Sequence, residues 1–280
     1  MPYHLYTTTM KLKTLFSLLL AALLLSSCGT SRTVPVTGRK QNLMISDEQV
    51  LSLSTQEYSK YMKGAKVSTN KAKTEMVKRV GQRLATAVET YLRQNGLAQE
   101  LQYYKWEFNL VQDNAVNAFC MPGGKIVVYE GLLPVTKDEA SLAIVLGHEI
   151  AHAVAKHSAE QMSEQLRAQY AAQGISIAGS ILGMGSNTQS IAQAALSLGY
   201  SFAAPKFSRK HETEADTMGL IFAAMAGYNP EVAVAFWQRM AAQSGNANQT
   251  SIFSTHPSDA QRIANIKQQL PTALKYYKKQ

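Results

Sequence analysis

At 280 residues, with 46% hydrophobic and 17% charged side chains, the chain can bury a sizeable core and has the balance of a globular protein, which excludes a disordered or fibrous class. The net charge of +9 is spread along the sequence, and nothing in its pattern suggests nucleic-acid binding. Lys275, Lys278 and Lys279 form the one clear basic cluster, readable as a solvated tail or as a segment lying on an anionic lipid surface.

Lys11 and Lys13 precede an apolar run from Leu15 to Leu25, which is too short to span a bilayer but has the length of a signal-peptide core. Met10 fits as the start of that signal. The run ends in Leu25-Ser26-Ser27-Cys28, which resembles the lipobox of bacterial lipoproteins. That resemblance implies cleavage before Cys28 and acylation of its thiol and new amine, enough buried chains for a stable anchor. The alternative is an ordinary secreted protein with a cysteine near its cleavage site. A lipidated Cys28 would leave Cys120 as the single thiol and no internal disulfide. Residues 1–27 are therefore expected to be a lipoprotein signal peptide and 28–45 a Thr-, Ser-, Gly- and Pro-containing tether, with the folded domain over 46–280. No acidic export tag lies between Cys28 and Asp47. The expected address is the cell envelope, at the outer membrane and facing the periplasm.

Ser46-Asp47-Glu48-Gln49 is a capping signal that predicts a helix to about Lys63. Another helix is predicted from Ser68–Asn70 to Gly96, with Met76, Val80, Leu84, Val88 and Leu92 as its core stripe. Period two then takes over: Trp106, Phe108 and Leu110 alternate with Glu107, Asn109 and Val111, a half-buried strand. Residues 116–129 read as two short strands about the turn Pro122-Gly123-Gly124. An exposed edge at Asn117, Ala118 and Phe119 could pair with an extended peptide; a covered edge is the alternative.

Thr136-Lys137-Asp138-Glu139 reads as a capping box for a helix expected to run on to about Tyr170. Residues 168–205 carry no charge. Buried helices, a cover over a cleft and a shallow membrane-facing hairpin are all open readings of that stretch. A helix then runs from about Phe207 to Gly227, another restarts at Asn229-Pro230, and the last follows Thr255-His256-Pro257 and ends before Pro271.

Chemistry concentrates in Leu146-Gly147-His148-Glu149-Ile150-Ala151-His152, which contains H-E-x-x-H. Residues four apart share a helix face, so His148 and His152 can present two imidazoles to one Zn²⁺, with Glu149 placed to act as general base. A third ligand is needed. His157 is not at metzincin spacing, since Ala155 and Ser158 stand where that class requires Gly and His. Glu212 is the candidate, and Asp216 four residues on would hold the outer nitrogen of a ligand histidine. Glu214 is expected to be a surface acid on the far side of that helix. The alternative for all three carboxylates is a solvated acidic face.

Together with Arg209-x-x-Glu212-x-Glu214-Ala215-Asp216 and Asn117-Ala118-Phe119 before Pro122-Gly123-Gly124, this motif resembles the gluzincin family of HtpX-like and CAAX-prenyl proteases, metallopeptidase family forty-eight. Pro35-Val36-Thr37-Gly38-Arg39 is similar to the start of its periplasmic lipoprotein branch. The resemblance implies an α+β fold, mostly helical with a small mixed β-sheet, and one zinc per chain on His148, His152 and Glu212. It implies endopeptidase action on misfolded or stalled envelope proteins, with outer-membrane assembly machinery as a further partner. It also implies a gating or oxyanion role for His256, with Arg262 beyond it; a plain His-Pro helix start is the alternative for His256. The rival function is a holdase or assembly factor in which zinc only joins two helices.

Overall fold

The computed structural model describes residues 30–172, 199–243 and 260–278. The signal peptide, Cys28, His256 and most of the uncharged stretch lie outside the described residues. Among those described, no helix is long and apolar enough to cross a membrane.

The segment expected as a tether is instead built into the fold. Strands β1 (Thr30–Thr33) and β2 (Lys40–Leu43) form an antiparallel hairpin that pairs Thr30 with Leu43. Val34, Leu43 and Ile45 are buried, so this stretch supplies core side chains that a tether would leave in water. Helix α1 (Asp47–Gly64) starts at the capping box expected: Ser46 Oγ accepts from the Gln49 amide, and the Ser46 amide donates to Gln49 Oε1. Helix α2 (Lys71–Gln94) buries Val80, Leu84, Val88 and Leu92 on one stripe.

Strands β3 (Glu107–Val111), β4 (Ala118–Met121) and β5 (Lys125–Tyr129) form a sheet in the order β3-β5-β4, with β3 parallel and β4 antiparallel to β5. The turn between β4 and β5 uses Gly123 and Gly124 at φ +89° and +79°, a region that only glycine enters without strain. Alternation splits the sheet between two cores. Leu110, Ala118, Cys120, Ile126 and Val128 join the main core, whereas Val111, Phe119, Met121 and Val127 join a second core with α1. Val111, expected on a half-exposed face, is therefore buried.

Helix α3 (Glu139–Val154) runs through the centre, buried from Ser141 to Val154. Its cap is Asp138, which accepts from the Ser141 amide at 2.7 Å; Thr136 belongs to the preceding helical turn, so the capping box expected there does not form. The helix also ends sooner than its pattern suggests. Lys156 takes φ +56°, and helix α4 (His157–Ala172) leaves in a new direction. Lys156 Nζ is held at that break by Asp47 at 2.8 Å and Glu100 at 2.7 Å. Helices α5 (Arg209–Met225) and α6 (Val232–Gln243) follow. Helix α7 (Ala260–Leu274) continues through Pro271, where an end was expected, and buries Ala273 beyond it.

Candidate metal centre

Helices α3 and α5 cross with their backbones in contact, and two glycines permit it. A Cβ on Gly147 would stand 2.8 Å from the Gly219 carbonyl oxygen, and one on Gly219 would stand 2.7 Å from the His148 amide nitrogen. This approach brings the H-E-x-x-H motif against Glu212 and Asp216, two turns and one turn before Gly219 on α5.

His148, His152 and Glu212 come together as a buried triangle, 2%, 2% and 7% exposed. His148 Nε2 lies 3.1 Å from His152 Nε2 and 3.4 Å from Glu212 Oε2, and His152 Nε2 lies 3.5 Å from Glu212 Oε1. Glu149, buried on the same helix, is close enough to Cys120 of β4 for its charge to add to burial in raising that thiol's pKa. The edge residues Ala118 and Phe119 thus sit on the strand that passes this carboxylate, with both side chains buried.

Each imidazole is held from behind. His148 Nδ1 lies 2.9 Å from Asp216 Oδ1. Arg262 grips Asp216 with Nε at 2.9 Å and Nη2 at 2.7 Å, while its guanidinium lies over the Trp237 ring, 3.4 Å from the centroid. Burial alone would raise the Asp216 pKa; the Arg262 charge and the His148 hydrogen bond outweigh it and hold the carboxyl below its ordinary value. For His148, burial and the Arg262 charge pull the pKa down, but Asp216 and Glu212 push it up to about 9.

Behind His152 is a residue that sequence reasoning set aside. His157 Nδ1 lies 2.8 Å from His152 Nδ1, and His157 Nε2 lies 3.0 Å from Glu214 Oε2. In one continuous helix, residues five apart point about 140° away from each other. The turn at Lys156 cancels that divergence. Glu214 is correspondingly not a surface acid but is buried, accepting from Thr37 Oγ1 and, at 2.8 Å, from Arg39 Nε. Arg39 also forks onto Glu160 at 2.7 and 2.6 Å. Glu212, Glu214 and Asp216 are all buried, so the solvated acidic face does not hold. Phe207 stacks on His152 with centroids 4.0 Å apart, and His211 stacks on His157. Glu160, Glu164 and His211 are also close enough to share an ion, but Arg39 already supplies the positive charge there.

Two imidazole nitrogens and a carboxylate, all within 4.8 Å of one another and each ring anchored on its far side, are a donor set that suits zinc. A buried H-E-x-x-H helix crossing a carboxylate-bearing helix in a small α+β domain defines a zinc metallopeptidase. The chain belongs to Peptidase family M48, whose sequence profile matches residues 71–270.

Relatives bear this out. Mitochondrial metalloendopeptidase OMA1 of Schizosaccharomyces pombe is 39% identical over 170 residues, covering 60% of this chain and 48% of that protein. Metalloprotease LoiP of Escherichia coli is 27% identical over 231 residues, covering 82% of this chain and 84% of that protein. The Beta-barrel assembly-enhancing protease of Yersinia pestis is 29% identical over 178 residues, 60% of this chain and 36% of that protein. The chain thus spans about half the length of the yeast OMA1 relative.

Proposed function

We propose that this metalloprotease is an endopeptidase of the bacterial envelope, lipid-anchored through Cys28 at the outer membrane and facing the periplasm, that cleaves misfolded or stalled envelope proteins. The observation that carries the catalytic part is the buried His148–His152–Glu212 triangle on the same helix as Glu149. The name of the Beta-barrel assembly-enhancing relative supports a link to β-barrel assembly. The lipobox-like Leu25-Ser26-Ser27-Cys28 supports the anchor.

His148, His152 and Glu212 are the residues that would hold the ion. When bound, zinc supplies a Lewis acid that makes water nucleophilic near neutral pH and polarises the scissile carbonyl. Glu149 takes the proton from the attacking water and returns it to the leaving amine. Asp216, fixed by Arg262, keeps the His148 proton on Nδ1 and its lone pair on Nε2. The edge of β4 at Asn117, Ala118 and Phe119 offers main-chain groups to an extended substrate, a mode tolerant of sequence.

The test is digestion of an unfolded protein such as casein by the wild type and by Glu149→Gln. The variant is expected to bind zinc and fold normally but to lose cleavage by 10²-fold or more. Equal cleavage by both would reject Glu149 as the base. Cleavage by neither, with zinc bound, would favour the holdase.

A further inference from the structure

The line Thr37/Arg39–Glu214–His157–His152 runs from the amino-terminal hairpin to an imidazole of the ligand triangle, and the catalytic scheme leaves it unused. Its hydrogen-bond polarity can be read in only one direction once His152 is a ligand. Donating the Nε2 lone pair to a metal requires the His152 proton to be on Nδ1. That Nδ1 faces His157 Nδ1 at 2.8 Å, so His157 must offer a lone pair there and carry its proton on Nε2. His157 Nε2 in turn faces Glu214 Oε2 at 3.0 Å, and an ionised carboxylate accepts the proton. The wrong His157 tautomer would set two N–H groups against each other at hydrogen-bond distance and force the rings apart.

What aims Glu214 comes from outside the catalytic helices. Thr37 donates its hydroxyl to Oε1, and Arg39 reaches Oε2 with Nε at 2.8 Å and Nη2 at 2.6 Å, while Nη1 and the same Nη2 bridge to Glu160 of α4. Thr37 and Arg39 sit in and just after the turn between β1 and β2, closed by the bonds Gly38 N to Val34 O and Val34 N to Arg39 O. One guanidinium therefore ties the hairpin to α4 and α5, and the tie ends on the ring of a ligand.

We infer that Arg39 and Thr37 are positioning residues for the metal centre: through Glu214 they fix the tautomer of His157, which fixes the orientation and tautomer of His152. The centre thus has two unlike supports. His148 is backed directly by a carboxylate, Asp216, whereas His152 is backed by a second histidine whose carboxylate the hairpin holds. The inference rests on the zinc reading above.

The test uses the zinc-loaded full chain with ¹⁵N-labelled histidine. Nuclear magnetic resonance is expected to show His152 protonated on Nδ1, His157 protonated on Nε2, and a nitrogen–nitrogen coupling across the bond between the two Nδ1 atoms. A merely structural tie would impose none of these. Zinc affinity by chelator competition is expected to fall about 10- to 100-fold in Glu214→Gln, and about tenfold in Arg39→Gln, which touches no ligand. His157 protonated on Nδ1, or both variants folded with wild-type affinity, would overturn the inference and leave the zinc reading standing. If neither variant folds, the tautomer of the wild type decides. A wild type that binds no zinc would overturn both.

Discussion

Gly219→Ala sets local preference directly against packing. Within a helix the change should stabilise by about 1 kcal/mol, because glycine is the poorer helix former. The structure gives the opposite sign. The new Cβ would stand 2.7 Å from the His148 nitrogen, 2.8 Å from the Gly147 carbonyl carbon and 2.9 Å from the His148 Cα, where ordinary contact begins at 3.4 Å. All three atoms are backbone in a buried helix, so no side chain can swing away, and α3 and α5 must part by about 0.7 Å, the shortfall from 2.7 to 3.4 Å. Overpacking of this kind costs about 1–3 kcal/mol, and rigid neighbours place it at the upper end. Net destabilisation of about 2 kcal/mol remains. The same shift moves Glu212 relative to His148, and displacements of about 1 Å at a reacting centre cost on the order of 10²-fold in activity. Urea unfolding reads the first effect; casein cleavage together with zinc competition reads the second. Gly64→Ala is the control: its Cβ meets nothing within 4 Å, and it is expected to be neutral to about 1 kcal/mol more stable. A Gly219→Ala protein as stable as the wild type, with unchanged zinc affinity, would refute the claim that this glycine contact positions the ligands.

Asp216→Asn is expected to weaken zinc binding about 10- to 100-fold by uncoupling His148 from Arg262, measured by chelator competition. Chelation should lower the thermal midpoint, and zinc at about 100 times its dissociation constant should restore about 2.7 kcal/mol, read by calorimetry. Glu160 should contribute an acid-sensitive stability. Burial raises its pKa, but the nearby His211 ring and the Arg39 hydrogen bonds outweigh burial and hold it well below the usual carboxylate range. Its folded value lies below the unfolded value of about 4.3, so the contribution is complete above that pH and is lost as pH falls toward the folded value. Urea midpoints between pH 6 and 3 should therefore decline less steeply in Arg39→Gln than in the wild type.

Local signals served the helix starts and the ligand helices well. Ser46 with Gln49, the stripe Val80–Leu84–Val88–Leu92, and H-E-x-x-H each act within one or two turns, where spacing alone sets geometry. Glu212 and Asp216 are legible because their four-residue separation fixes a shared face, and the structure brings Glu212 to both histidines and Asp216 to His148. What escaped notice depends on contacts far apart in sequence. From its own helix Glu214 reads as outward-facing, yet Arg39, 175 residues away, covers it. His157 fails the metzincin spacing and is indeed not in the ligand triangle, but its place behind His152 depends on the left-handed residue Lys156, which spacing along the sequence does not reveal. The hairpin has the composition of a tether because Thr, Ser, Gly and Pro suit linkers and tight turns equally; the burial of Val34 and Leu43 separates the two.

Anomalous X-ray diffraction at the zinc edge, on crystals of the full chain, tests the central claim most directly. One strong peak is expected about 2.0–2.2 Å from His148 Nε2, His152 Nε2 and a Glu212 oxygen. A peak elsewhere, or zinc held without Glu212, would contradict the account.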